Sequence, residues 1–204
     1  MMTLTQRELE RRLRDAAPAV DASEASEVLM ARAEREGLVD VAYATMDSPF
    51  GELLVASTDR GIVRVGLPNR PSDQVLTELA TLVSPRVLES PRRLDQVRRE
   101  LDDYFEGKLD RFGVPVDWRL SRGFTGKVLH QVGRIPYGQT RSYGEVAARA
   151  GNPRAFRAAG SACGHNPVPL IVPCHRVVQA SGKPGNYGGG PEMKEALLKL
   201  EGAL

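Results

Sequence analysis

One short segment of the chain places a thiol next to an imidazole. Cys174 and His175 lie within the run 173–177 (PCHRV), in a sequence that has two cysteines and three histidines. A thiolate is a strong nucleophile, and histidine is the side chain that most often takes its proton. Adjacent side chains rarely hydrogen-bond directly, so we expect His175 to act on Cys174 through a bridging water. Pro173 restricts the backbone before the thiol and favours an extended Val172.

The same residue types also occur in zinc sites and in cysteine peptidases. Four possible ligands are arranged as Cys-x-His and then Cys-His: Cys163, His165, Cys174 and His175. Zinc ligands usually come in pairs about two to four residues apart, so we predict no metal. A peptidase would need a peptide-binding cleft, which nothing in the sequence indicates. Cys163 is expected to be a small buried hydrophobe, and His130 a packing residue on a helix.

Composition predicts a globular chain that does not enter a membrane. The 204 residues are 41% hydrophobic and 26% charged, which is enough to build one or two cores. No apolar run is long enough to span a bilayer, and residues 1–14 are charged where a signal peptide is apolar. We therefore expect a cytoplasmic protein whose two cysteines are free thiols.

Charge divides the chain into two unlike parts. Residues 122–204 carry eleven Lys and Arg against four Glu and no Asp, whereas residues 1–121 carry 17 Lys and Arg against 22 Asp and Glu. The basic C-terminal part is the candidate for binding a polyanion. Basic residues that only solvate a surface explain the excess equally well, so the local pattern must decide.

Patterning predicts a helical extension followed by two domains. We place the extension at residues 1–38, an α/β scaffold domain at 39–121 and a C-terminal domain at 122–204. The extension is rich in Glu, Arg and Ala, with Leu9 and Leu13 one helical turn apart. It holds no set of residues that suggests chemistry.

The scaffold domain begins with strand patterns and continues with helical ones. Three strands indicate an antiparallel meander, at 39–46, 52–57 and 61–67. They are followed by two helices, at 72–83 and 91–105, and a short extended piece at 112–118. The apolar stripe of the second helix contains Tyr104, and we expect this stripe to be core rather than site.

Two short helices in the C-terminal domain predict a helix-turn-helix. The first, 142–150, begins with a capping box formed by Ser142 and Glu145. The second is predicted to begin at Asn152 as its N-cap, with a proline at the first helical position, and to extend to Cys163. Further helices of this domain are predicted at 125–132 and from Met193 onwards.

The second of these helices carries very few large side chains. Its small residues are Ala155, Ala158, Ala159, Gly160 and Ala162. A slim helix fits the narrow minor groove of DNA, whereas a reader of the major groove would need Asn, Gln or several Arg. Arg157 is the exception, and it could fill the gap left by an extruded nucleotide. The alternative is an alanine-rich packing helix with one solvated arginine.

Several short segments occur in an order that resembles one known family. They are Ser142-Tyr143, Asn152-Pro153, Asn166-Pro167, the run 173–177 and Gly185-Asn186-Tyr187. This set is similar to the O6-alkylguanine-DNA alkyltransferases, also called methylated-DNA–protein-cysteine methyltransferases. The resemblance is strongest over 124–202, weaker over about 48–118 and absent from the first 38 residues. It implies an α+β fold, with a ribonuclease-H-like antiparallel sheet and helices before a helical domain with a winged helix-turn-helix.

The resemblance implies DNA repair by direct reversal of damage, without a cofactor. Cys174 would accept the alkyl group of O6-alkylguanine in double-stranded DNA, with O4-alkylthymine as an alternative lesion, and would be spent after one turnover. His175 would deprotonate Cys174 through water, and Glu201 would polarise His175. Asn166 would brace the turn before the thiol, and Tyr143 would donate its hydroxyl to N3 of the extruded guanine.

Further positions match DNA-binding and pocket residues of the family. The resemblance implies DNA contacts at Arg157, Thr125, Gly144, Asn152, Ala155 and Gly160. It implies an alkylguanine pocket lined by Val177, Tyr187, Gly188 and Cys163. The expected partner is the minor groove of duplex DNA, bound by a monomer, with cooperative binding along DNA as an open alternative.

A protein of another class could use the same DNA-binding surface. It would sense alkylated bases, or regulate transcription, without repairing the lesion. Such a protein would lack the acceptor thiol, whereas Cys174 is present in this sequence. The enzyme is therefore the favoured interpretation.

Overall fold

The computed structural model describes residues 28, 30, 32, 33 and 35–204. The helices predicted within 1–38, with Leu9 and Leu13, lie outside the described residues except for those few positions, and residues 28, 30, 32, 33 and 35 are helical. Residues 39–204 form a separate compact unit, to which the following description applies. No helix of the described part is long and apolar enough to cross a membrane.

Four strands form the N-terminal sheet, in the order β3-β2-β1-β4. Their bounds are Val41–Met46 for β1, Leu53–Thr58 for β2, Gly61–Gly66 for β3 and Val87–Glu89 for β4. The first three strands pair antiparallel, which confirms the predicted meander. β4 was not predicted, and it pairs in parallel with β1. Three residues are too few to show a period-two pattern, so the strand has no clear signature in the sequence.

Helices cover both faces of this sheet. They are α1 (Ser72–Leu82) and α2 (Asp95–Phe105). Val75 and Leu79 of α1 pack on one face of the sheet, while α2 shares a core with the other face and with the C-terminal domain. The predicted helix 91–105 is divided, because its first four residues, Pro91–Leu94, form a tighter 3₁₀ turn.

Helices dominate the C-terminal domain. They are α3 (Gly123–Val132), α4 (Tyr143–Arg149), α5 (Phe156–Gly164) and α6 (Pro191–Leu200). The predicted capping box is present at α4, where Ser142 Oγ accepts from the Glu145 amide at 3.2 Å and the Glu145 carboxylate accepts from the Ser142 amide at 2.7 Å. Two short strands, β5 (Arg141–Ser142) and β6 (Val177–Val178), pair in parallel.

The second helix of the helix-turn-helix begins later than predicted. Asn152 does not cap it. The side-chain oxygen of Asn152 accepts from the Arg154 amide at 3.3 Å, and its backbone carbonyl accepts from the Ala155 amide at 3.0 Å. These bonds close a turn, and asparagine forms such turns as readily as helix caps. The helix α5 therefore starts at Phe156 and ends at Gly164.

The outer edge of β3 joins the sheet to the rest of the chain. The Val65 amide donates to the Pro167 carbonyl at 2.9 Å, in the turn that precedes Cys174. The Ile62 amide donates to the Pro115 carbonyl at 2.8 Å, within the extended piece predicted at 112–118. Gly61 has a φ of +128°, and a Cβ there would collide with the Pro115 backbone, so this close approach requires glycine.

Candidate active site and nucleic-acid interface

Cys174 lies in the core that both domains share. It opens a 3₁₀ turn, Cys174–Arg176, and is 3% exposed. Leu170, in the turn before it, is fully buried with a φ of +72°. This left-handed backbone costs a non-glycine residue about 1 kcal/mol or more, so core packing must hold the turn in place.

Asn166 closes the turn that connects α5 to the thiol. Its Nδ2 donates to the Val172 carbonyl at 2.7 Å, and its Oδ1 accepts from the Val168 amide at 3.1 Å. Both ends of one side chain thus bind backbone groups of the same turn. The geometry ties the end of α5 to the segment that carries Cys174.

The Cys174 thiol is protonated in the resting protein. Burial raises its pKa to about 11, although a hydrogen bond with Asn166 and the charge of Lys194 act in the opposite direction. A thiol with this pKa holds its proton at neutral pH. A base is therefore required when the sulfur reacts.

The contacts of His175 define its tautomer. Its ring is fully buried, and its Nε2 lies 2.8 Å from Oε1 of Glu201. Because an ionised carboxylate only accepts, Nε2 carries the hydrogen and Nδ1 is the basic nitrogen. Nδ1 is buried and has no hydrogen-bond partner within the described part of the chain. Burial lowers the pKa of His175, so the imidazole is neutral at neutral pH.

Glu201, at the end of α6, accepts several buried hydrogen bonds. Arg176 donates to it through Nε at 2.8 Å and Nη2 at 2.9 Å, and the Tyr104 hydroxyl donates at 2.7 Å. Burial alone would raise the pKa of Glu201, but hydrogen bonds from His175, Arg176 and Tyr104 lower it to about 2. The carboxylate is therefore ionised, and it orients the imidazole of His175.

Tyr104 lies on the apolar stripe of α2, which is buried in the core as predicted. Its ring is fully buried and packs against Phe112, with ring centroids 5.4 Å apart. Its hydroxyl, however, donates to Glu201 and lies 3.4 Å from His175 Nε2. The N-terminal domain thus supplies one group to the hydrogen-bond network of His175 and Glu201, and nothing in the sequence distinguishes this tyrosine from a packing residue.

Lys194 is a site residue that sequence reasoning missed. It is fully buried on α6, and its Nζ donates to the Val177 carbonyl at 2.6 Å. Its charge lowers the pKa of Cys174 and of Cys163, opposing the effect of their burial. The available signal was its spacing, because Lys194 lies three and four positions before Leu197 and Leu198 and so falls on the apolar face of the predicted helix.

A cavity of about 420 Å³ opens between α4, α5 and the loop after β6. Five of the predicted residues line it: Tyr143, Arg157, Gly160, Tyr187 and Gly188. Burial raises the pKa of Tyr143 to about 12, so its hydroxyl remains a hydrogen-bond donor at neutral pH. The cavity wall therefore offers a donor, an exposed guanidinium and a slim stretch of helix.

The other predicted residues lie outside this cavity lining. Cys163, Cys174 and Val177 are buried. Thr125, Gly144 and Ala155 are half-buried, and Asn152 is exposed in the turn before α5. The structure thus places the predicted nucleophile in the core and the predicted DNA contacts on α3, α4, α5 and the turn between α4 and α5.

The N-terminal domain also supports the far wall of the cavity. Asn69 Nδ2 donates to the Gly188 carbonyl at 2.7 Å. A Cβ on Gly188 would lie 3.7 Å from Leu67 Cδ1, and one on Gly189 would lie 3.3 Å from the same atom. Contacts from the first domain therefore help to hold this wall in place.

Neither remaining histidine belongs to this site. The His130 ring stacks on Trp118 with centroids 3.9 Å apart, as a packing residue on an exposed face. His165 Nδ1 lies 2.8 Å from the Ser161 carbonyl. Within residues 35–204 and the few described before them, no group of three or more His, Cys, Asp or Glu is placed to hold a metal ion.

A buried cysteine thus lies in the same domain as a pair of short helices joined by a turn, an arrangement that fits a DNA-binding protein. Two family models match the chain in the same order as its domains. Residues 41–118 match the ribonuclease-like domain of 6-O-methylguanine DNA methyltransferase, and residues 123–203 match its DNA-binding domain. The chain belongs to this family, which confirms the resemblance seen in the sequence and the α+β fold.

Named relatives agree with this assignment. The methylated-DNA–protein-cysteine methyltransferase of Mycobacterium tuberculosis H37Rv is 44% identical over 159 residues, covering 78% of this chain and 91% of its own. The inducible enzyme of Bacillus subtilis is 42% identical over 149 residues, covering 72% and 82%. A crystal structure of Mycobacterium tuberculosis OGT in complex with DNA has a TM-score of 0.68 at 40% identity, covering 79% and 93%.

Proposed function

We propose that this protein repairs O6-alkylguanine in duplex DNA by transferring the alkyl group irreversibly to Cys174. Its family makes it a methylated-DNA–protein-cysteine methyltransferase, a DNA-binding repair protein that reverses damage directly. The observation that carries the choice of acceptor is the buried Cys174 next to His175, whose basic Nδ1 has no partner within the described part of the chain.

The transfer is a direct displacement at carbon. The Cys174 sulfur forms a bond to the alkyl carbon as the bond from that carbon to O6 breaks, and the electron pair of that bond passes to the guanine. The product is a stable thioether, so each protein molecule reacts once. The thiol proton passes through a water molecule to Nδ1 of His175, while Nε2 stays hydrogen-bonded to Glu201. Because burial raises the pKa of Cys174 to about 11, this proton transfer limits thiolate formation.

Groups of the cavity assist the departing guanine. The Tyr143 hydroxyl donates towards N3, where negative charge develops, and the Gly188 amide faces O6. The carbonyls of Cys174 and Val177 read the guanine amino group. Tyr187 and Gly188 form the wall around the alkyl group.

Docking occurs through the minor groove and requires extrusion of the lesion. Ala155 and Gly160 keep α5 slim, and Arg157 is exposed beside the cavity, where it fills the vacated stack. The DNA backbone is contacted by Thr125, Gly144 and Asn152. The protein binds as a monomer. Extrusion costs a few kcal/mol and is cheaper for a damaged base, which favours the lesion over normal guanine.

A duplex with labelled O6-methylguanine tests the reaction. Wild-type protein should take up the label in a one-to-one ratio, and Cys174→Ser should bind the duplex but take up none. Label on Cys174→Ser would refute the acceptor assignment. For the docking mode, a minor-groove ligand of the netropsin class should compete with binding and a major-groove ligand should not; the opposite pattern would refute minor-groove docking.

A further inference from the structure

Phe156 is an exposed aromatic residue at the start of α5. Its side chain is 51% exposed, and among the described residues it is the only phenylalanine, tyrosine or tryptophan classed as exposed. An exposed apolar group at a functional cleft usually marks a contact surface. Phe156 is not among the DNA contacts that the family resemblance implies.

The position of Phe156 connects it with the cavity. It lines the same 420 Å³ space as Tyr143 and Arg157. The Arg157 guanidinium lies 5.6 Å from the centroid of the Phe156 ring, within the range of a cation–π contact. Gly160, one helical turn further on, leaves this face of α5 open, since a Cβ there would already lie 3.9 Å from the Tyr143 ring.

We propose that Phe156 is a further DNA-contacting residue, an apolar wedge that stacks on the base next to the lesion in the minor groove. This role rests on the proposed docking of α5. Proteins of the minor groove often insert apolar side chains between base steps, and every base offers a flat face to an aromatic ring. The basic C-terminal part, with eleven Lys and Arg against four Glu, favours DNA as the occupant of this surface.

Arg157 and Phe156 then act side by side. The cation–π contact holds the two side chains together before binding, and on DNA the guanidinium fills the vacated stack while the ring supports the neighbouring base. A wedge of this kind stabilises the duplex with its lesion extruded. It contributes nothing when the substrate is a free base, because no stack then needs support.

A comparison of a duplex substrate with a free base distinguishes a DNA-contacting role of Phe156 from a role in stabilising the fold. Phe156→Ala should slow the single-turnover reaction with an O6-methylguanine duplex by roughly tenfold, and should slow the reaction with free O6-benzylguanine base far less. Phe156→Trp should keep the wild-type rate on the duplex. An unchanged duplex rate for Phe156→Ala, or an equal loss on both substrates, would overturn the proposal.

Binding tests the same role without chemistry. In a Cys174→Ser background, Phe156→Ala should weaken affinity for the lesion duplex by roughly tenfold, and unchanged affinity would overturn the wedge. Leu82→Ala is the matched control, because Leu82 is 63% exposed on α1, away from the cavity, and its loss should leave affinity unchanged. If wild-type protein takes no alkyl group from the duplex, the proposed repair function fails, whereas the binding comparison still decides the role of Phe156.

Discussion

His175 Nε2 lies 2.8 Å from Glu201 Oε1, and this contact determines which nitrogen of the imidazole is basic. A carboxylate held ionised by Arg176 leaves Nε2 as the donor and Nδ1 as the acceptor. In the proposed reaction, the nitrogen that takes the proton of Cys174 is therefore set by Glu201, which follows the last helix. We expect Glu201 both to stabilise the fold and to orient the proposed base.

Glu201→Gln should lower both the stability of the fold and the rate of methyl transfer, whereas a surface substitution should change neither. The substitution leaves Arg176 as a buried cation without its counterion, so the free energy of unfolding should fall by about 3 kcal/mol, as measured by urea denaturation. Methyl transfer should also slow, because His175 loses its partner. Glu195→Gln, on the exposed face of α6, is the control and should change neither quantity.

The pH dependence of stability should follow from the same carboxylate. The pKa of Glu201 is lowered from 4.5 to about 2 in the folded state, so its stabilisation is present above pH 4.5 and is lost as the pH falls towards 2. Wild-type protein should lose roughly 3 kcal/mol more than Glu201→Gln over this interval. Equal losses in the two proteins would show that another group controls acid unfolding.

Tyr104→Phe should test the contribution of the N-terminal domain to the reaction. The variant keeps the ring but removes the hydrogen bond to Glu201, so methyl transfer should slow by about fivefold and stability should fall by about 1.5 kcal/mol. Tyr137→Phe is the matched control, because its hydroxyl donates to the Leu200 carbonyl at 2.9 Å and not to the His175–Glu201 pair. Equal transfer rates for the two variants would contradict a role for the Tyr104 hydroxyl.

Lys194→Met should move the titration of the active thiol. Lys194 lowers the pKa of Cys174, so removing its charge should shift the pH profile of iodoacetamide modification to higher pH. The measurement follows the modification of Cys174 by mass spectrometry between neutral and alkaline pH. Lys199→Met, exposed near the end of α6, should leave the profile unchanged. A folded Lys194→Met protein with the wild-type profile would rule out this electrostatic effect.

Asn69→Ala should alter the choice between small and large alkyl groups. The variant frees the Gly188 carbonyl from its bond at 2.7 Å, so the cavity wall gains room. The rate with O6-benzylguanine relative to O6-methylguanine in duplex DNA should rise by about threefold, the equivalent of one modest hydrogen bond. Asn69→Asp, which also lacks the donor, should behave alike; an unchanged ratio in both variants would refute this role.

Local sequence patterns predicted those features that depend on neighbouring residues. The capping box at Ser142 and Glu145 places both partners within one helical turn, and the meander follows from alternating strands and turn residues. The predicted start of α5 was wrong because asparagine forms helix caps and turns equally well, and the sequence alone does not distinguish the two.

Features built by contacts across the chain could not be predicted in this way. Tyr104 and Glu201 are 97 positions apart, and Asn69 and Gly188 are 119 positions apart. These groups meet only because the sheet domain packs on the C-terminal domain. The family resemblance predicted a role for Glu201, but it gave no indication of Tyr104, Lys194 or Asn69.

Intact-protein mass after exposure to an O6-methylguanine duplex tests the central claim most directly. We predict an increase equal to one methyl group replacing one hydrogen, mapped by peptide analysis to Cys174, with no further increase when DNA is in excess. An unchanged mass after the protein has bound the duplex, or a methyl group mapped to Cys163 or to any other residue, would contradict the account.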